Sequence, residues 1–340
     1  MNALPLPPGT RLRGFEIVSV LGGGKASLVY KAFDHALGRD VALKEYLPSR
    51  WVRRVDHRQV VILAGKQEPF GKGLARFRIE ARVMTTFSHP VLRGIWQYIK
   101  ENGTEYIVMP FHAGKTLRQK VHEGWRIQDL AELFGIVFPI LEGVSVLHKA
   151  GCCHLGVSPD NILIRESNEA PLLMDFGATR PSNGENEDNP IIELAPGFAA
   201  KEQYEDGGIL GAWSDIYAVS ALLYYMVTGI IPEASFSRIA NDSLKPLVCH
   251  GTHELPARVL EVFDKGLAIA PENRFQDIAS FVRALEISMQ EVLKQSTSPY
   301  IDGIMATHDV LTSFPPRIKS AINASWALRG QLSESQTGGE

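Results

Sequence analysis

The chain has 340 residues, with 35 Lys+Arg against 38 Asp+Glu, a formal charge of −3, 45% hydrophobic and 21% charged residues. These values exclude a disordered, collagen-like or disulfide-scaffold chain, and the near-neutral balance argues against a dedicated binder of nucleic acid or anionic membrane. Cys152, Cys153 and Cys249 are too few and badly spaced for a metal framework, and an odd, sparse set fits a reducing compartment.

Residues 1–14 are Pro-rich and read as a lead-in. They have neither the basic start nor the apolar run of a secretory signal. The longest uncharged apolar run, Ile216 to Ile231, falls short of the ~20 residues a spanning helix needs. It reads as a buried core helix, so the expectation is a cytoplasmic protein with no transmembrane segment.

The first third is strand-like. Phe15–Val20, Leu28–Tyr30 and Asp40–Lys44 form a meander broken by Gly22–Gly24 and Gly38. Residues 46–73 read as an irregular insertion, and its basic stretch Arg50 to Arg58 as a solvated surface, with docking of an acidic partner as the alternative. Phe77, Ala81 and Met84 have helical spacing over Leu74–Phe87, ended by His89-Pro90. Gly94–Lys100 and Thr104–Phe111 flank Asn102-Gly103, a hairpin signal.

After Gly114 helices dominate. Leu130, Leu133, Phe134, Val137, Phe138, Leu141 and Val144 make one stripe, and Ser214–Thr228 and Pro271–Leu293 are further helices. The layout is α+β with two lobes. The tail from Ser296 has one weak amphipathic patch, Ile318, Ile322 and Trp326, and a polar end expected to be disordered.

Three local features carry chemistry. Gly22-Gly23-Gly24 between two strands lets backbone N–H groups approach phosphates, although a plain hairpin turn gives the same pattern. Lys44 ends an apolar strand and Glu80 sits on a helix. Such a pair can aim an ammonium at phosphate oxygens, and taken singly each reads as a surface charge. Asn161, after His154-Leu155-Gly156, and Asp175 in Asp175-Phe176-Gly177 are hard oxygen donors of the kind Mg²⁺ prefers beside phosphates.

In this order the motifs resemble a eukaryotic-type protein kinase domain in its bacterial form, from about Phe15 to about Leu285. The resemblance implies a bilobal fold: a small antiparallel β lobe with one helix (15–109), a hinge (110–114), a helical lobe (115–285) and an extension (286–340). It implies ATP and Mg²⁺ as cofactors. Gly22, Gly23, Gly24, Ser27 and Val29 would belong to the phosphate loop, and Lys44 with Glu80 to the phosphate-pairing lysine and its helix partner. Met109 and Phe111 would bind ATP at and beside the hinge, Val29, Ala42 and Leu163 would sandwich the adenine, and Asn161 and Asp175 would hold the metal. His154, Phe176, Glu202, Asp215 and Arg274 take structural roles by the same resemblance, with Glu202 paired to Arg274. Cys152 and Cys153 are expected to be buried.

The departures bear on function. The family's His-Arg-Asp is His154-Leu155-Gly156, so the carboxylate that handles the hydroxyl proton is missing. Ser158 stands for the following lysine, Leu155 for the arginine that reads an activation-segment phosphate, Ser27 for a loop glycine and Lys201 for a proline. Asp160 is the nearest substitute acid, at a position that faces the peptide substrate in the family. The leading expectation is a pseudokinase: an ATP/Mg-binding module that signals by conformation. Its partner would be a protein, such as an active kinase, a phosphatase or a secretion or signalling component. The alternatives are a slow Ser/Thr kinase, another ATP-dependent transferase such as a nucleotidyl transferase, and an interaction module with an empty cleft.

Overall fold

The first sheet has a centre buried on both faces, residues 41–46 and 104–109, and alternating burial along Ser27–Asp34 beside it. The computed structural model describes residues 4–182, 194–250 and 255–294. The described residues fall into two units, one of 4–114 with 165–179, the other of 115–164, 180–182, 194–250 and 255–294. Residues 183–193 and the Ile318–Trp326 patch lie outside the described residues.

The first unit carries β1 (Arg11–Leu12), β2 (Phe15–Gly23), β3 (Ser27–Asp34), β4 (Arg39–Tyr46), β5 (Val52–Val55), β6 (Gln59–Ile62), α1 (Gln67–Thr86), β7 (Gln97–Glu101) and β8 (Thr104–Pro110). Six of these strands form one antiparallel sheet in the order β1-β2-β3-β4-β8-β7. Asn102 and Gly103 have φ of 56° and 72°, the left-handed pair that a two-residue hairpin between β7 and β8 requires.

The lead-in expectation fails for residues 4–14. Leu6 and Leu12 are buried in the sheet's core with Ile17, Tyr30, Leu43 and Tyr106. Leu6 N donates to Tyr30 Oη at 3.1 Å. The Pro-rich composition concealed two leucines that cover an otherwise open apolar face.

The insertion expected to be irregular is a hairpin, β5 with β6, turned at Asp56 and His57, both at positive φ. Val60 N donates to Asn102 O at 2.7 Å, so this hairpin packs on the β7–β8 turn. Helix α1 starts at Gln67, earlier than its apolar spacing indicated. Its first turns bury Phe70 and Gly73 ahead of Phe77, Glu80, Ala81 and Met84. Helix α1 stops at Phe87, which is extended ahead of His89-Pro90.

The second unit is helical. After β9 (Gly114–Thr116), Thr116 caps α2 (Leu117–His122) in a reciprocal box with Gln119. Helix α3 (Leu130–Lys149) starts on the Asp129 cap. By length and composition it could cross a membrane, but most of it is buried inside this unit, which reads it as a core helix. Then come β10 (Cys152–Cys153), β11 (Ile162–Arg165), β12 (Pro171–Leu173, in the first unit) and β13 (Arg180–Pro181), with β10 and β13 antiparallel. Helix α4 (Ala212–Thr228) is buried on nearly every side and packs against α6 (Ala257–Gly266) and α7 (Ile278–Lys294), with the short α5 (Ser235–Arg238) between α4 and α6 in sequence. Pro271–Asn273 is a separate 3₁₀ turn, so α7 begins seven residues later than the sequence suggested.

Candidate functional site

The first unit assembles one charge cluster. Lys44 lies on the central strand β4, opposite Val29 on β3 and Ile107 on β8. The apolar neighbours bury it, and its Nζ reaches Glu80 Oε1 at 2.6 Å and Asp175 Oδ1 at 3.0 Å. Glu80 comes from the buried stripe of α1. Asp175 has a φ of +60°, a conformation that Asp tolerates better than most residues, and its Oδ1 accepts from Gly177 N at 3.1 Å. A Cβ on Gly177 would stand 3.2 Å from that same oxygen. Arg76, also on α1, donates to Gly177 O at 3.4 Å and Thr179 O at 3.2 Å, so α1 holds the turn after Asp175 by its backbone. Phe176 is buried.

The electrostatics follow from two carboxylates sharing one ammonium. Burial works to lower the Lys44 pKa, but the Asp175 and Glu80 carboxylates outweigh it and hold the ammonium charged. Burial pushes Glu80 up to about 7; Lys44 opposes this and the Asp175 charge adds to it.

The glycine segment is more strand than turn. Gly22 and Gly23 pair with Val29 and Leu28, and the turn itself is Gly24–Ala26, closed by Gly24 N donating to Ser27 O at 3.0 Å. Gly23 is required: a Cβ there would lie 2.5 Å from Leu28 Cδ2 and 2.7 Å from Ser27 O, whereas Gly22 faces open space. On β8, Met109 pairs with Ala42, and both are buried. Beyond the strand, the Lys31 ammonium stands 4.8 Å from the Phe111 ring centroid.

The second unit holds the loop that begins at His154. Asp215, buried on α4, accepts from His154 N (2.8 Å), Leu155 N (2.7 Å) and His148 Nε2 (2.7 Å). Leu155 sits at φ +60°, unfavourable for a Leu, and is held there by Asp215 on its amide and by Gln203 Nε2 on its carbonyl at 2.9 Å. His154 is buried and its Nδ1 accepts from Gly156 N at 3.1 Å. Asn161 Nδ2 donates to Gly156 O at 2.8 Å, which leaves the amide oxygen as that side chain's acceptor. Ser158 and Leu163 are buried. Glu202 takes Arg274 Nη1 at 2.8 Å and Nη2 at 3.2 Å, with Ser214 Oγ donating to it at 2.7 Å. Cys153 is buried and burial pushes its thiol up to about 12, while Cys152 is only partly covered.

Asp160, the nearest acid to Gly156 in sequence, is ion-paired. Arg118 from α2 binds it through Nε, 2.8 Å from each carboxylate oxygen, and through Nη2. Arg76, Arg118, His148 and Gln203 were not identified from sequence. Each partner lies at least 42 residues away, so no local spacing signals it.

Each unit offers one oxygen donor of the kind Mg²⁺ prefers. Asp175 offers a half-exposed carboxylate in the first unit and Asn161 an amide oxygen in the second, both hard ligands. Residues 15–274 match the family described as the protein kinase domain, and the chain belongs to that family. It is related to bacterial Ser/Thr kinases. PknL of Mycobacterium tuberculosis is 27% identical over 82% of this chain and 66% of PknL. PknB of Mycolicibacterium smegmatis is 30% identical over 78% of this chain and 41% of PknB. The chain thus spans just under two thirds of the one and less than half of the other. Among solved structures, the apo form of PpkA-294 is 34% identical with a TM-score of 0.74, covering 84% of this chain and all of that one. The PknI kinase domain of M. tuberculosis, 22% identical with a TM-score of 0.58, shares the fold.

Proposed function

We propose that this chain binds Mg-ATP and has lost, or nearly lost, transfer to a hydroxyl acceptor, acting as a regulatory module read by a protein partner. One contrast carries the reading. The Lys44–Glu80–Asp175 cluster is assembled in full, whereas the only acid in residues 154–161, Asp160, is held by Arg118. Lys44 orients toward phosphate oxygens with Glu80 fixing its ammonium, and Asp175 and Asn161 hold the metal, which when bound neutralises phosphate charge. Gly156 contributes only backbone, its N–H to His154 and its carbonyl to Asn161, so the proton of an attacking alcohol meets no carboxylate from that position. Nucleotide then acts by linkage: a partner that prefers the loaded form is recruited when ATP is present. An active kinase, a phosphatase or a component of a secretion or signalling assembly would fit that role, in the cytoplasm.

The test is a thermal-shift titration with Mg-ATP on wild type and Lys44→Met. Wild type should gain about 2.7 kcal/mol at a hundredfold excess over Kd, and the variant should gain little. No shift in wild type overturns nucleotide binding. Incubation with γ- and α-labelled ATP should label no protein. Phosphate or AMP incorporation that vanishes in Lys44→Met would replace this reading with a transferase.

A further inference from the structure

Residues 91–93 run beside β12, with Leu173 N donating to Val91 O at 2.6 Å and Arg93 N to Leu173 O at 3.2 Å. This pairing puts the Arg93 side chain between the end of β8 and Met174, the residue before Asp175. Its partners there are poor. Nη1 lies 3.4 Å from Met174 Sδ, a weak acceptor, and Nη2 lies 3.5 Å from Pro110 O, at the limit of a hydrogen bond. Nε is buried with no hydrogen-bond partner. Among the described residues, no carboxylate forms an ion pair with Arg93. Glu80 and Asp175 act on it only at longer range. Burial lowers its pKa to about 10, so it is charged at neutral pH.

A charged guanidinium with a buried, unpartnered Nε and only two weak acceptors is costly in a largely covered place, and an acceptor brought by a ligand offsets that cost. The location says which part of a ligand would supply it. Pro110 stands between Met109 and Phe111, which the resemblance gives to the ATP site, and Met174 adjoins the metal-side Asp175. Pro110 also lacks an N–H of its own. The surroundings are electropositive: burial pushes the His112 pKa down, and Arg93 and Arg165 push it further. Position 6 of a purine is an amino donor in adenine and a carbonyl acceptor in guanine. A donor in the pocket penalises the first and rewards the second.

We propose that Arg93 is a specificity-determining residue that makes the site accept 6-oxopurine nucleotides alongside ATP, by donating to the 6-carbonyl. This rests on the nucleotide-binding reading above. Displacement of a fluorescent ATP analogue by Mg-ATP, Mg-GTP and Mg-ITP tests it in wild type and in Arg93→Met. In wild type, GTP and ITP should bind within about tenfold of ATP. In Arg93→Met, both should weaken by about tenfold or more relative to ATP. Failure of GTP to bind wild type, GTP binding without ITP, or an unchanged ratio in the variant overturns the role of Arg93 and leaves ATP binding standing. Failure of all three nucleotides overturns the nucleotide-binding reading as well. The ITP arm uses only wild type, so failure of ITP to bind overturns the proposal even if Arg93→Met fails to fold.

Discussion

Arg118 binds Asp160 head-on, its Nε 2.8 Å from both carboxylate oxygens, while its guanidinium also rests 5.4 Å from the Tyr225 ring centroid. The pair is partly exposed, so its contribution to stability is small, but its geometry occupies the only acid of the loop. On the proposed reading, an added proton acceptor is therefore expected to work only at position 156. Gly156→Asp should raise phosphate transfer from γ-labelled ATP to a generic protein acceptor by about 10²–10⁴-fold. Adding Asp160→Asn to that variant should change the rate by less than about threefold, against the 10²–10⁴ expected of a base. A collapse of the rate in the double variant would make Asp160 the working acid.

Arg54 and Glu45 form a second pair, 2.7 Å apart and almost wholly removed from water. Glu45 Oε2 also accepts from Tyr30 Oη at 2.6 Å, and Arg54 Nε donates to Leu4 O at 2.7 Å, so the pair ties the N-terminal segment and the β5–β6 hairpin to the sheet. Arg54→Ala would leave the Glu45 carboxylate buried without its cation. Urea denaturation should show a loss of about 3–5 kcal/mol, and limited proteolysis should open the segment around residues 4–12. Glu45→Leu with Arg54→Met should recover most of that loss, since an apolar pair of similar volume avoids desolvation. A single variant as stable as wild type would show that the pair holds nothing.

How far the sequence reached depends on the range of the interaction. The β7–β8 hairpin was legible because Asn102-Gly103 is a local signal, and the stripe of α3 because its period is local. Lys44, Glu80 and Asp175 were legible through motif order, although the distances that join them span 36 and 131 residues. Arg54 was misread as a solvated charge because nothing near it in sequence reveals that Glu45 and Tyr30 await it across the sheet. Arg93 gives no sequence signal for the same reason: its weak partners and its unpartnered Nε are set by packing alone. Helix starts at Gln67 and Ile278 were misplaced where the first turn is fixed by tertiary burial or by a preceding 3₁₀ turn rather than by a cap signal.

The three cysteines should separate by burial. Cys249 is exposed, Cys152 is partly covered, and Cys153 is buried with its thiol pushed up by desolvation and its Sγ 3.2 Å from Ser182 Oγ. A thiolate is the reactive form, so a native-state titration with an aromatic disulfide reagent should label Cys249 first and spare Cys153 until the chain unfolds. Peptide mapping that finds Cys153 labelled at the rate of Cys249 would contradict the packing of β10 against β13.

Asp215 anchors the degenerate loop independently of any chemistry at Gly156. Burial alone would raise its pKa, but the His148 hydrogen bond, the charges of His148 and His154 and the Leu155 amide outweigh burial and hold it below the ordinary 3.8. A carboxylate depressed in the folded state contributes stability that is full above the unfolded value and is lost as pH falls through the folded one. Asp215→Asn keeps one acceptor and turns the other into a donor facing a donor, so it should cost about 2–5 kcal/mol at pH 7. The gap between wild type and variant should not narrow from neutrality down to about pH 5, since both folded and unfolded Asp215 are ionised there. It should close only as acid protonates the carboxylate of the folded protein, below the ordinary 3.8. A gap that already narrows between pH 7 and 5 would mean that the His154 and Leu155 amides do not hold this charge, and that Leu155 is kept at positive φ by Gln203 instead.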